Sequence, residues 1–214
     1  MSPILNEKVC TRSSVDTRTA RLRHRRQQIL ATAAEIFANR GYHATAMDEI
    51  AHAAYMSKPV LYQHFPSKLD LYLAVLQTRL DTLVPAIQTA STLTGNRRAR
   101  LSAIAQTYFD FADSDPAGFH LVFESPVATE PSVEYRLARA TTHCVDAIRD
   151  AIAPAGTNTH EHHISTIATG LVGMLRFTAA SWLDAHRPVP KPDAVAIATD
   201  LCWGGLSQVP LQQP

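Results

Sequence analysis

Three helix starts crowd into one short stretch of this chain, and that crowding dictates its local fold. Thr45, Ser57 and Ser67 each stand where a polar side chain can cap the first turn of a helix. The two helices opened before residue 67 can therefore run only about two turns each. Helices that short are marginal alone and must be stabilised by packing on neighbours. The first has an inward stripe of Met47, Ile50, Ala51 and Ala54, and Asp48 follows Thr45 at the capping-box spacing, where Glu or Gln is usual. The second carries Pro59 in its first turn, where a missing N–H costs nothing, and stops near Phe65–Pro66. Upstream, Ile29, Ala33, Ile36 and Phe37 recur at i, i+4, i+7 and i+8, which predicts a preceding helix ended by Gly41.

From Ser67 a long helix begins with SKLDLYLAVL, and a kink is expected at Pro85. Beyond it the pattern predicts helices over 97–113, 116–123, 132–153, 161–185 and 192–206, with breaks at Gly95, Pro126, Pro131, 154–156 and the RPVPKP loop. No internal repeat and no β-alternation is evident. The expected fold is all-α: an N-terminal three-helix helix-turn-helix domain and a larger C-terminal helical domain. The expected boundaries are 1–20 for a flexible basic arm, 21–66 for the head and 67–214 for the body.

Charge divides along the same line. Residues 1–68 hold ten Lys/Arg against five Asp/Glu, and the rest holds ten against fourteen, so +5 and −4 make up the formal +1 of the chain. A basic front suits a polyanion. In a helix-turn-helix the second helix of the motif enters the major groove. Its outward groups here are Ser57, Lys58, Val60, Tyr62, Gln63 and His64. Gln63 can make a bidentate contact to adenine, and Val60 can meet a thymine methyl. Tyr62 and His64 suit phosphates, as do Thr45 and Lys68 at helix starts. Arg21, Arg23, Arg25 and Arg26 read as an arm that could enter an adjacent minor groove. The competing reading is a helical corner whose Tyr62 and Phe65 are core and whose arginines are solvated.

The stretch GYHATAMDEIAHAAYMSKPVLYQHFPSKLDLYLAVL, residues 41–76, resembles the N-terminal domain of the TetR family of transcriptional regulators. The matching elements are Gly41–Tyr42, Thr45, Met47–Asp48, Ile50–Ala51, Ser57–Lys58–Pro59, Leu61–Tyr62, His64–Phe65, Ser67–Lys68 and Leu71–Tyr72. The resemblance implies a homodimer that binds an inverted-repeat operator in double-stranded DNA. It also implies C-terminal helices that form a ligand pocket and a dimer face. Two positions depart from the family pattern, Tyr55 for the usual glycine and Met56 for the usual valine. Either the corner keeps a left-handed residue, at ~1–2 kcal/mol, or it is reshaped. Further on, GFHLVFESPVATEPSV, ATGLVGM, WLDAHRPVPKPDAV and WGGLSQVPL are similar to the actinobacterial TetR-type regulators that activate fatty-acid synthase genes. That similarity implies long-chain acyl-CoA as effector; the alternative is a repressor of a neighbouring lipid-metabolism or efflux operon.

A dry apolar site between helices suits a long acyl chain. The expected lining is Leu83, Leu101, Tyr108, Phe109, Phe119, Phe123 and Leu175, although each of these could equally be ordinary core. Arg97, Arg98 and Arg100 are candidates for a CoA head group. Ala168, Gly170, Gly173, Ala179, Ala180, Ala194, Ala196 and Ala198 let helices approach closely and are assigned to the dimer face; intramolecular packing would use them equally well. No cofactor is expected, and no nucleophile elbow, P-loop or zinc-protease motif is present. HEHH at 160–163 reads as a solvated patch rather than a metal site. The three scattered cysteines fit a reducing cytoplasm. The apolar run from Ile164 to Leu183 is interrupted by polar residues and reads as a buried helix rather than a membrane span. The rival class is an all-α lipid-binding protein or enzyme that never meets DNA.

Overall fold

The structure is a computed structural model that describes residues 7–153 and 161–208. Every regular element among them is a helix: α1 (Glu7–Ala44), α2 (Met47–Ala53), α3 (Lys58–His64), α4 (Lys68–Ser91), α5 (Arg97–Ser114), α6 (Pro116–Phe123), α7 (Pro131–Ile152), α8 (Glu161–Asp184) and α9 (Lys191–Gln208). The chain forms two units, one ending at Val75 and one starting at Leu76. The division therefore falls inside α4, later than the expected 66/67. Leu71, Tyr72 and Val75 explain the difference, because the first turns of α4 are buried in the head.

In the head, α2 packs on both α1 and α3. Its core is Ile29, Ala33, Phe37, Ile50, Ala51, Leu61, Phe65 and Tyr72. Phe37, Tyr42 and Tyr72 form an aromatic cluster with ring centroids 5.1 to 5.9 Å apart. Helix α1 departs from the expected arm. It is already helical from Glu7, so the backbone of 7–20 continues the helix instead of forming a flexible segment. No Gly or Pro interrupts the run from Glu7 to Arg40, so nothing in the backbone stops the helix from propagating. Residues 1–6 lie outside the described residues. Gly41 breaks the helix with φ 76° and ψ 164°, a region that essentially only glycine occupies.

In the body, α5 packs on α7, α8 and α9, while α6 lies against α5 and α8. The core takes Leu101, Ile104, Tyr108 and Phe109 from α5, Phe119 from α6, Ile148 from α7 and Leu175 from α8. Pro85 sits within an uninterrupted α4. The α8 end is closed by a six-to-one hydrogen bond from Arg187 N–H to Trp182 C=O, with His186 and Arg187 both left-handed. Arg187 then reaches Asp113 at 2.8 Å, and Lys191 bonds Asp110 at 2.8 Å and Asp113 at 3.0 Å, which fastens this loop to α5.

Candidate nucleic-acid interface and effector region

The corner between α2 and α3 retains the left-handed geometry. Tyr55 has φ 54° and is 89% exposed. Its N–H donates to His52 C=O at 3.0 Å, and Met56 N–H donates to Ala51 C=O at 3.0 Å. These are the two bonds of a Schellman motif, so the tyrosine occupies the position that glycine usually takes. The turn is not reshaped; it carries a side chain at the cost of backbone strain.

After the corner, Ser57 caps α3 through its backbone, whose carbonyl accepts from Val60 and Leu61. Its hydroxyl makes no capping bond and faces solvent. Leu61 and Phe65 point inward, whereas Lys58, Tyr62 and Gln63 are exposed and Val60 and His64 are half-buried. All six groups expected to read DNA thus lie at or near the surface. Lys58 bonds Asp48 at 2.9 Å, which joins α3 to α2 and raises the lysine pKa through that hydrogen bond. Arg26 stacks over the Phe65 ring at 4.4 Å. Arg21 and Arg25 line an open groove of about 810 Å³ with Gln28, Val60, Gln63 and His64. The arginines are therefore ordered on a helix beside α3, not on an extended arm.

Two expected phosphate donors are engaged in holding the head together. Thr45 is buried, and its hydroxyl donates to Gly41 C=O at 2.7 Å. The residue flanking α2 is instead Ala46, whose N–H donates to the Glu49 carboxylate at 3.1 Å. Glu49, rather than Asp48, makes this return bond because α2 starts one residue later than expected. Glu49 also pairs with Arg40. Lys68 donates to Tyr42 C=O and Thr45 C=O, each at 2.9 Å, and lies over the Tyr42 ring at 4.5 Å. Its ammonium caps carbonyls left open by the Gly41 break, so neither residue presents a free surface donor.

Of the seven residues expected around an acyl chain, six are buried and Phe123 is half-buried. Phe123 lies 4.7 Å from Phe119 and 6.1 Å from Tyr108, ring to ring. Phe109 meets Trp182 at 5.5 Å. The structure brings these aromatics together as packed core. The Tyr108 hydroxyl is buried without a hydrogen-bond partner of good geometry; it rests against the Cys144 thiol. Burial pushes the tyrosine pKa well up and that of Cys144 up to about 11, so both stay neutral at cellular pH. Arg98 pairs with Asp200, and Arg100 donates to Ala151 C=O at 3.1 Å, which takes two of the three expected head-group cations away from that role.

A groove of about 600 Å³ between α4 and α7 is rimmed by Arg136, Arg139 and His143, and their i, i+3, i+7 spacing is its one signal in the sequence. Helix α6 is tied at both ends, which no sequence pattern announces. At the N-terminus Asp115 accepts from Gly118 N–H at 2.8 Å and lies 3.2 Å from Arg79 on α4. At the C-terminus Arg176 on α8 donates to Phe123 C=O at 3.2 Å. The small residues of α8 and α9 separate by role. Ala168, Ala179, Ala194 and Ala198 are buried within the chain, whereas Gly170 and Gly173 face open space. Phe177, Ile197 and Leu201 are exposed apolar side chains on the same two helices. His162 and His163 are exposed in the first turn of α8, and His160 lies outside the described residues.

These features define a helix-turn-helix DNA-binding regulator with a separate helical body. Residues 29–75 match the model for bacterial regulatory proteins of the tetR family, and residues 101–200 match the tetracyclin repressor-like C-terminal domain. Over 187 residues the chain is 46% identical to the HTH-type transcriptional activator FasR of Mycolicibacterium smegmatis, covering 87% of this chain and 85% of that protein. The chain belongs to the TetR family of transcriptional regulators. Among solved structures, a TetR-like transcriptional regulator from Rhodococcus sp. RHA1 superposes with TM-score 0.72 at 24% identity, over 86% of this chain and 97% of that one. AibR in complex with isovaleryl coenzyme A and operator DNA superposes with TM-score 0.67 at 21% identity, over 83% and 97% respectively.

Proposed function

We propose that this protein is a homodimeric, cytoplasmic activator of fatty-acid biosynthesis genes whose operator binding is controlled by long-chain acyl-CoA. The observation that carries this reading is the 46% identity to a transcriptional activator across head and body together. The fold shared with a regulator bound to an acyl-CoA and operator DNA supports the ligand class. The dimer face is assigned to the exposed side of α8 and α9, where Phe177, Ile197 and Leu201 stand as knobs and Gly170 and Gly173 leave space. Helix α8 is apolar and long enough to cross a membrane, yet less than half of its most apolar stretch is buried in one chain. A second copy covering the remainder accounts for that excess.

A ligand shifts the equilibrium only through its different affinity for two conformations. Helix α6 is the element that reports it. Its Phe123 lies against Tyr108 and Phe119 against Phe123, and its N-terminal Asp115 holds Arg79 on α4. About three turns earlier on the same helix, Lys68 holds the carbonyls of Tyr42 and Thr45. An acyl chain that displaces Phe119 and Phe123 therefore acts on the helix that continues into the head. In a dimer that reads two half-sites at fixed spacing, a small displacement of the two recognition helices is enough to lose the operator.

The test is a band shift of promoter fragments from lipid-biosynthesis genes, with the purified dimer, over a salt series. Saturable, sequence-selective binding with a steep salt dependence is expected. Titration with acyl-CoAs of increasing length should release the DNA with long chains only. Each buried methylene contributes ~0.8 kcal/mol, so release should sharpen by about fourfold per carbon. Equal release by acetyl-CoA would refute the acyl-chain site, and a transcription assay with the same promoter decides between activation and repression.

A further inference from the structure

We infer that the groove between α4 and α7 is the site for the phosphorylated adenosine end of the acyl-CoA, an inference that rests on the effector reading above. The groove holds about 600 Å³, within the range of small-molecule sites. Its rim on α7 is Arg136, Arg139 and His143, which fall on one strip of the helix. Its apolar lining is Leu80, Val84, Pro85 and Ala140, of which Leu80 and Val84 are buried.

Some arginines of the body are paired with aspartates and others, Arg100 and Arg176, donate to main-chain carbonyls; among the described residues the two of the rim do neither. Arg79, Arg98, Arg149 and Arg187 are each held by an aspartate. Arg136 is not: it donates to the Gln77 side-chain oxygen at 2.6 Å, and Gln77 in turn donates to Asp81 at 2.7 Å. The glutamine stands between guanidinium and carboxylate, so Arg136 is oriented without being neutralised. Arg139 makes no ion pair or hydrogen bond among the described residues and is exposed at the mouth. Two uncompensated guanidiniums beside one screened carboxylate make a cradle for phosphates, which such groups bind bidentately. Tyr135 is 66% exposed on the same rim and offers a face on which a purine can stack.

The groove and the aromatic core share helix α7. Ala140 on the groove's lining is one helical turn before Cys144, and Cys144 rests against the orphaned hydroxyl of Tyr108. In this proposal a ligand with its phosphates on Arg136 and Arg139 enters by parting side chains of α4 and α7 toward α5 and α6. This replaces Arg97, Arg98 and Arg100 as the head-group site.

The test is calorimetric titration of the full chain with palmitoyl-CoA, free coenzyme A and palmitate, comparing wild type with Arg139→Glu, Arg136→Gln and Arg139→Lys. Wild type should bind palmitoyl-CoA tightly and coenzyme A weakly. Arg139→Glu should weaken both by about tenfold or more, in line with a charge-assisted phosphate contact. Palmitate affinity and the melting temperature should not change, and Arg139→Lys should restore part of the loss. Wild-type affinity for palmitoyl-CoA and coenzyme A in Arg139→Glu and Arg136→Gln would overturn the groove while leaving the effector reading intact. If wild type bound palmitate but neither CoA species, the groove would fall and the effector would be a free acid; if it bound none of the three, both readings would fall.

Discussion

Tyr55→Gly is expected to stabilise the protein, against the usual direction of replacing a large side chain by none. The tyrosine is left-handed at φ 54° and 89% exposed, so its ring contributes little packing while its Cβ strains the corner. A left-handed L-residue costs ~1–2 kcal/mol, and the added freedom of glycine in the unfolded chain returns ~0.4–1 kcal/mol of that. The net gain is about 0.8 kcal/mol, which in a cooperative unit of this size raises the melting temperature by roughly 2–3 °C. Differential scanning calorimetry resolves such a shift. Tyr55→Ala is the control: it removes the ring but keeps the strain and should stay within about 0.5 kcal/mol of wild type. Operator affinity should be kept or tightened in Tyr55→Gly, because the Schellman bonds that aim α3 are retained. A lower melting temperature in Tyr55→Gly, or an equal gain in Tyr55→Ala, would refute the strain argument. Loss of operator binding would make the tyrosine a DNA contact.

Gln63→Ala should lower operator affinity by ~1–3 kcal/mol and relax selectivity at one base pair per half-site, as read by binding to a set of single-base operator variants. Phe177→Asp together with Ile197→Asp should convert the dimer to a monomer in analytical ultracentrifugation and abolish operator binding with it; a dimer that survives both changes would place the interface elsewhere. Arg79→Gln should leave DNA binding without ligand near wild type but blunt its release by acyl-CoA, because α6 would no longer hold α4; full release in the band shift would sink that coupling. Gly118→Ala should cost ~1–3 kcal/mol in thermal unfolding, since a Cβ there would lie 2.2 Å from the Asp115 carboxylate and 2.8 Å from Arg79 Cγ.

Helix periodicity and the positions of Pro and Gly placed α5 to α9 within two residues of their observed ends, because these signals are local. The exposed side of α3 was legible for the same reason: Leu61 and Phe65 had to point inward, which left Lys58, Tyr62 and Gln63 outside. Thr45 and Lys68 were misread because their partners are carbonyls freed by the break at Gly41, and no spacing rule announces a side chain that caps a neighbouring segment. The arm was misread because polarity was taken for flexibility, although a helix needs only the absence of breakers and some packing of its later turns. The groove between α4 and α7 depends on which faces of two distant segments meet, and a single sequence carries no record of that. Likewise Tyr55 could be marked as a departure from the sequence, but whether the corner bent around it needed the two hydrogen bonds of the turn.

The pairing of Lys58 with Asp48 gives the recognition helix the character of an ion exchanger. A phosphate that takes Lys58 must displace a carboxylate already bound to it, so this lysine brings few condensed counterions out of the DNA atmosphere. The salt slope of operator binding then counts fewer cations than the surface displays, and the carboxylate left behind repels any phosphate that is slightly out of place. Asp48→Asn should tighten binding to any DNA, steepen the slope by about one and narrow the gap between operator and random sequence. In the proposed operator complex the acidic partner is a cost in affinity that the head carries in exchange for register.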